Sequence, residues 1–237
     1  MKKPAGSGWS RNVSDGRSRD ADNRRPPPTA VPRIVKSVGR FPDPMDYSLA
    51  IENGPETIPG GTGLLLVHPS IGETDRIDTD FLKTDTDAFL VVSTRTTARE
   101  VEQKLEYYDV DETKATILDT LSVERGYSRR SSDDVYYVSA PDDLDGVVDR
   151  VERFLTEHEG KRRVSVDSLT EMAYYADDNA VYEAAADILD LLDEHDAVGI
   201  FHLSEEVHEV ATLDRFRELF EGVIELDGDG NVTVDLK

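Results

Sequence analysis

The sequence contains no cysteine. A disulfide framework and a thiolate metal site are therefore excluded. No apolar run approaches the roughly 18 residues that a membrane-spanning helix needs. No apolar segment of the secretory-signal type follows the first residues. The expected location is the cytoplasm, with no membrane partner. Tryptophan occurs once, at Trp9, so the core downstream must be built from aliphatic side chains and a few Phe and Tyr. Lysine is scarce after residue 44, where only five of 17 basic residues are Lys against 46 acidic ones. A basic stripe for nucleic acid is missing from that part of the chain.

The charge that is present is unevenly spread. The 237 residues carry a formal net charge of −23, but residues 1–44 sum to +6 and residues 45–237 to −29. Residues 1–44 are rich in Gly, Ser, Arg and Pro, including Pro26-Pro27-Pro28, and lack apolar periodicity. They are expected to be a disordered basic extension. The break in composition falls at Met45. Two readings follow: Met45 is the native start, or the extension is a basic tail for nucleic acid or membrane. The first is preferred. Residues 45–237 are long enough for one α/β domain with a full core. Acidic residues occupy every predicted solvent face of it. That pattern suits a salt-filled cytoplasm, where self-repulsion among carboxylates is screened. A mimic of nucleic acid or a binder of basic partners is the alternative.

Short apolar segments alternate with amphipathic ones. Strands are predicted near 63–68, 88–93, 115–118, 135–138, 163–167 and 197–203. After the second, Thr97-Ala-Arg-Glu100 is a capping-box pattern, and Val101, Leu105 and Tyr108 share a helical face. Residues 75–82 read as a short helix or a loop. Ser139-Ala-Pro-Asp is expected to open a helix with Leu144, Val148, Val151 and Leu155 on one face. Further helices are predicted from Ser168, over 179–194 and around Leu213, Phe216 and Phe220. Two closing strands, 222–226 and 232–236, flank an Asp-Gly-Asp-Gly-Asn turn. The implied architecture is a mostly parallel sheet with helices on both faces and a C-terminal β-hairpin. Ligands of such sheets sit at the carboxyl ends of the strands.

One stretch stands at that edge. Gly63-Leu-Leu-Leu-Val-His68 is a buried-strand pattern that runs into Pro69-Ser70-Ile71-Gly72-Glu73-Thr74. A phosphate-binding loop of the G-x-x-x-x-G-K-[ST] type carries a lysine that neutralises phosphate. Glu73 stands at that place here. The segment is also one residue short, and Ile71 replaces a glycine, which disturbs the cradle of backbone N–H groups.

In their order and spacing, residues from about 58 to 227 resemble the RecA superfamily, in its KaiC- and RadA-like branch. Phe89-Leu-Val-Val-Ser-Thr94 with its capped helix is similar to the second strand of that branch. Ile117-Leu-Asp119 and Ser139-Ala-Pro-Asp-Asp-Leu144 fit segments of it. Arg163-Val-Ser-Val-Asp167-Ser168-Leu169 resembles the Walker B strand, and Phe220-Glu-Gly-Val-Ile-Glu-Leu226 the closing strand. More narrowly, the chain resembles haloarchaeal KaiC-like proteins with eroded P-loops, sometimes labelled HTR-like. The resemblance implies a RecA-like P-loop NTPase fold. It places a vestigial nucleotide site at His68, Ser70, Gly72, Glu73 and Thr74, and a vestigial metal site at Asp167 and Thr74. The family's acidic residue after the second strand has no counterpart in Ser93-Thr94-Arg95-Thr96.

One charge pair at 4 Å is worth about 4 kcal/mol at an effective dielectric of 20. Exchanging Lys for Glu thus swings binding by roughly 8 kcal/mol before relaxation. A micromolar complex has only about that much in all. Tight triphosphate binding and catalysis are not expected, and no cofactor is; weak Mg-ATP binding, with Arg76 as a substitute cation, is the alternative. The expected role is a non-catalytic regulatory or interaction domain whose partner is a protein, such as a KaiC-like or RadA-like ATPase. A weak ATPase or nucleotide sensor is the second reading, and a RadA-type DNA-repair accessory the third.

Other candidates weigh less. Asp167 also reads as a strand-end residue capping the helix from Ser168, and His68 as a strand-end filler. His202 and His208, with Glu205 and Glu206 between them, match no metal signature and read as structural or surface residues. Arg125, Arg129 and Arg130 form the basic cluster of the acidic domain. They read equally as a contact for an acidic partner or as a solvated loop.

Overall fold

A computed structural model describes residues 45–70, 74–127 and 132–237. The chain starts with two short strands, β1 (Asp46–Ser48) and β2 (Thr57–Pro59), paired antiparallel. Next come β3 (Gly63–His68), α1 (Asp75–Lys83), β4 (Ala88–Ser93) and α2 (Ala98–Tyr107). A 3-10 turn over Glu112–Lys114 leads into β5 (Ala115–Asp119), then β6 (Val135–Tyr137), α3 (Leu144–Glu157) and β7 (Arg162–Asp167). The remainder is α4 (Leu169–Tyr175), α5 (Asp178–Glu194), β8 (Val198–Ser204), α6 (Val210–Leu219), β9 (Gly222–Leu226) and β10 (Val232–Leu236).

The main sheet runs β10-β9-β3-β8-β7-β4-β5-β6. Every pairing in it is parallel except β9 with β10, the predicted C-terminal hairpin. Strand β3 lies inside the sheet and is buried along its length. Its side chains divide by period two. Leu65 and Val67 join the core under α3, α5 and α6, while Leu64 and Leu66 join the core that holds Phe81 of α1 and Val101 and Leu105 of α2. Helices therefore cover both faces, as the alternation of segments predicted.

Local chemistry explains the element ends. Thr97 and Glu100 form the predicted capping box at α2. Gly61, at φ +86°, makes the turn into β3, and its N–H donates to Ala197 O at 2.7 Å. The stretch 75–82 proves to be helix. The helix expected to open at Ser139-Ala-Pro-Asp begins instead at Leu144. Pro141 disfavours helix at the residue before it. Asp143 then offers a better cap, accepting from Gly146 N at 3.1 Å and from Ser139 Oγ at 2.6 Å. The sequence pattern does not announce the β1–β2 ribbon, because three-residue strands carry too little periodicity.

That ribbon covers a buried arginine on β7. Arg163 is fully buried, with Tyr47 and Phe81 rings 5.3 and 4.8 Å from its guanidinium carbon. It donates to Ser48 O at 2.7 Å, while its Nε and Nη1 lack partners. Burial lowers its pKa from 12.5 to about 10. A buried cation with unpaired donors stabilises little beyond its packing. Arg163→Met, which keeps the stem, is expected to stay within about 1 kcal/mol of the parent or to exceed it. Urea unfolding checks this. A loss above about 3 kcal/mol would show that the Ser48 contact and the ring stacking outweigh desolvation.

Candidate functional site

The carboxyl ends of β3, β7 and β4 bring together the turn after His68, Asp167 and the segment after Ser93. Main-chain bonds lace two of these ends. Thr94 N and Thr94 Oγ1 donate to Asp167 O at 2.8 and 2.9 Å, and Ser168 N donates to Thr94 Oγ1 at 2.7 Å. The next residue carries charge. Arg95 Nε and Nη2 lie 2.9 and 2.8 Å from Asp167 Oδ1. The Asp167 side chain is 11% exposed, so this guanidinium is its main electrostatic partner. The expectation that Asp167 caps the following helix is corrected: Ser168 is the cap, its side chain accepting from Glu171 N. Asp167 is free to hold Arg95 instead.

A second contact fills the turn from the other side. Ser70 N donates to Glu206 Oε2 at 3.1 Å, and Ser70 Oγ pairs with Ser204 Oγ at 2.8 Å. A carboxylate of the chain itself thus sits on the first described N–H after the strand. Thr74 is buried and starts α1, accepting from Asp78 N through its carbonyl, with no capping bond from its side chain. Gly72 and Glu73 lie outside the described residues, as do Arg129 and Arg130.

Beneath the turn lies a buried polar cluster. Asp78 of α1 is fully buried and accepts from Lys104 Nζ at 3.0 Å and from Ser165 Oγ at 2.6 Å. Burial alone would raise its carboxyl pKa. The Lys104 charge, His202 and the Ser165 hydroxyl outweigh that and hold it well below the usual carboxylate range. Burial likewise opposes the charge on Lys104, but Asp78, Asp167 and Asp75 push its pKa above the ordinary lysine value. His202 Nε2 stands 3.5 Å from Asp78 Oδ1, within ion-pair range but too long for a hydrogen bond. His68 packs edge-on against His202 at 5.6 Å between centroids. Its Nδ1 lies 2.8 Å from Pro69 O, which makes that nitrogen the donor, and Nε2 is buried without a partner. Burial lowers the His68 pKa below 6.5.

The structure therefore brings His68, Ser70, Thr74 and Asp167 to one edge of the sheet. It buries His202 as a structural residue and places His208 apart, against Thr170 at 3.0 Å and Asp178 at 3.6 Å. No group of three or more metal-ligating side chains occurs among the described residues. Arg76 is 85% exposed and pairs with Asp80 on its own helix. Sequence reasoning missed Arg95 as the partner of Asp167, and it missed Asp78, Lys104 and Glu206. A signal existed for Lys104. It follows Val101 by three residues, on the flank of the buried face of α2, and lysines are few in this domain.

At this edge several of the described polar groups are already paired with one another. The Asp167 carboxylate is held by Arg95, no carboxylate follows β4, and Glu206 occupies the Ser70 N–H.

The sheet order and the solved structures it matches give a RecA-like P-loop NTPase fold. Among solved structures, a KaiC-like protein from the hyperthermophilic archaeon Pyrococcus horikoshii OT3 aligns with a TM-score of 0.52 at 16% identity, covering 76% of this chain and 78% of that one. A prototypical ATPase of the type III secretion system of pathogenic bacteria aligns with a TM-score of 0.57 at 13% identity, covering 82% of this chain and 60% of that one. At such identities the likeness is one of fold. No curated protein matches the sequence. The chain belongs to DUF7090, a family of unknown function, which matches residues 45–236. Among the described residues no helix is long and apolar enough to cross a membrane.

Proposed function

We propose that this domain is a non-catalytic relative of the KaiC-like ATPases, kept as a regulatory or protein-interaction module. The observation that carries the reading is the Arg95–Asp167 pair, with both nitrogens within 2.9 Å of one carboxylate oxygen. A divalent ion at Asp167 would have to displace a guanidinium from a largely buried carboxylate. Glu206 on Ser70 N–H adds a negative charge where phosphate would need a free donor. The substitution of Glu73 at the lysine position of a degenerate Walker A turn points the same way. The partner class is a protein, with a KaiC-like or RadA-like ATPase as the first candidate. The net −29 of residues 45–237 speaks for a halophilic setting and against direct contact with nucleic acid.

The test is thermal stability in molar KCl with and without millimolar Mg-ATP, beside Asp167→Ala. A nucleotide present at 100 times its Kd would add about 2.7 kcal/mol. No shift is expected in either protein. A Mg-dependent shift that Asp167→Ala abolishes would overturn the proposal and establish a nucleotide sensor or weak ATPase.

A further inference from the structure

Beside Arg95 the surface opens into a cleft of about 520 Å³, lined among others by Arg95, Thr97, Arg99, Glu100, Arg125 and Tyr127. Three guanidiniums in one cleft are conspicuous in a domain whose 17 basic residues face 46 acidic ones. The carboxylate among these residues is already committed. Glu100 accepts from Thr97 N and Thr97 Oγ1, both at 2.8 Å. Arg99 has no ion pair among the described residues. Arg125 interacts with Tyr127 and Tyr175 and acts on the Glu100 carboxyl through its charge, with no ion pair among the described residues. Exposed tyrosines, Tyr127 at 49% and Tyr174 at 79%, accompany the cleft and the helix that holds Tyr175. Arginine with tyrosine is the composition of interface hot spots.

We propose that this cleft is the docking site for an acidic segment of a partner protein, whose carboxylates engage Arg99 and Arg125 and compete with Asp167 for Arg95. The proposal rests on the reading of the domain as an interaction module and names the chemistry of its partner. Charge complementarity selects the occupant. The domain is net acidic, so the three guanidiniums of the cleft supply a local attraction for an acidic chain. Guanidinium forks match carboxylates bidentately. Nucleic acid is a long polyanion that extends well beyond a cleft of this size, over a domain of net negative charge. Because Arg95 is shared, occupation of the cleft loosens its hold on Asp167.

The probe is a fluorescent oligoglutamate peptide, titrated at low ionic strength with the full chain by anisotropy. Saturable binding that weakens with salt is expected. Arg99→Glu and Arg125→Glu should each weaken it about tenfold or more, the factor expected when a charge-assisted contact is lost. Arg153→Glu changes net charge equally on exposed α3 and should leave binding nearly unchanged. Asp167→Asn should tighten binding, because the competitor for Arg95 is gone; a purely structural role for that pair predicts no gain. Equal effects of all three Arg→Glu variants would overturn the proposal, as would an absence of binding. Tighter binding of an oligothymidine strand would assign the cleft to nucleic acid instead. Self-association of the chain abolished by Arg99→Glu would replace the separate partner with a second copy. None of these outcomes depends on nucleotide, so failure here leaves the nucleotide test of the domain's function standing.

Discussion

Asp78→Asn is expected to lower the unfolding free energy by about 3–5 kcal/mol, the cost of leaving one member of a buried ion pair without its partner. Lys104 Nζ lies 3.0 Å from Asp78, and the lysine side chain is only 17% exposed. Asp75, at 3.6 Å and half exposed, is too remote and too wet to compensate. The amide still accepts from Ser165 but brings no charge. Lys104→Met in the same chain should recover much of the loss, since the uncompensated charge leaves with the lysine. Urea unfolding of the two single variants and the double closes the cycle. If Asp78→Asn loses less than about 1 kcal/mol, water or Asp167 carries the lysine charge and the cluster is not the keystone.

The same groups set a pH profile. Asp78 titrates below its unfolded value, so its contribution is full above about pH 4 and fades as pH falls toward the folded pKa. Lys104 titrates above its unfolded value, so its contribution is full below about pH 10 and fades as pH rises through the folded pKa. His68 works oppositely to the usual paired histidine. Burial lowers its pKa, so the unfolded chain takes up the proton first and stability falls as pH drops below 6.5. The slope from this one group does not exceed about 1.4 kcal/mol per pH unit. Chemical denaturation between pH 5 and 8 should show the decline, and His68→Gln should flatten it. An unchanged slope in that variant would assign the effect elsewhere.

Much of the fold was legible because burial imposes period. Leu64 to Val67 and Phe89 to Val92 are continuous apolar runs of the kind that a parallel strand covered on both faces requires. Thr97 and Glu100 announced their helix start through a pair of reciprocal bonds that needs no tertiary context. Ribbon β1–β2 was illegible because its stability comes from Tyr47 packing against residues more than a hundred positions away, such as Arg163. Ser139 misled because two capping patterns overlap within five residues, and only the geometry of Pro141 and Asp143 separates them.

The site was legible in location and not in pairing. Asp167 is found from the strand that carries it, since the Val164–Val166 alternation of β7 ends there. Its partner stands 72 positions earlier, and nothing in the local pattern of Ser93-Thr94-Arg95-Thr96 says that the guanidinium turns back across two adjacent strands. The lack of a carboxylate was visible; its replacement by a cation that serves the neighbouring aspartate was a tertiary fact. Asp78 hid for a related reason. Its spacing from Phe81 and Leu82 puts it on the buried face of α1, but an aspartate is ordinarily assigned to solvent, and Lys104, His202 and Ser165 make its burial tolerable.

Arg95→Ala carries the second large expectation, and its sign of response to magnesium is more telling than its stability. The variant should lose about 1–2 kcal/mol, because Asp167 keeps its burial and loses its charge-assisted bonds, discounted for the 39% exposure of the Arg95 side chain. Asp167→Asn added to Arg95→Ala should restore part of that loss, since the uncompensated charge goes with it. In the wild type, millimolar Mg²⁺ should leave the unfolding midpoint where it was. In Arg95→Ala the freed carboxylate should yield a small Mg²⁺-dependent rise, as required of any ion that binds only the folded state. That rise should vanish in the double variant. Such a result would mean that Arg95 keeps a divalent ion from the strand end and that removing one guanidinium reopens an inherited site. A wild type that already responds to Mg²⁺ would mean that the guanidinium yields to the ion, and the non-catalytic reading would fall with it. A flat response in both proteins would place the loss of metal binding deeper than Arg95, in the turn that Glu73 and Glu206 make negative.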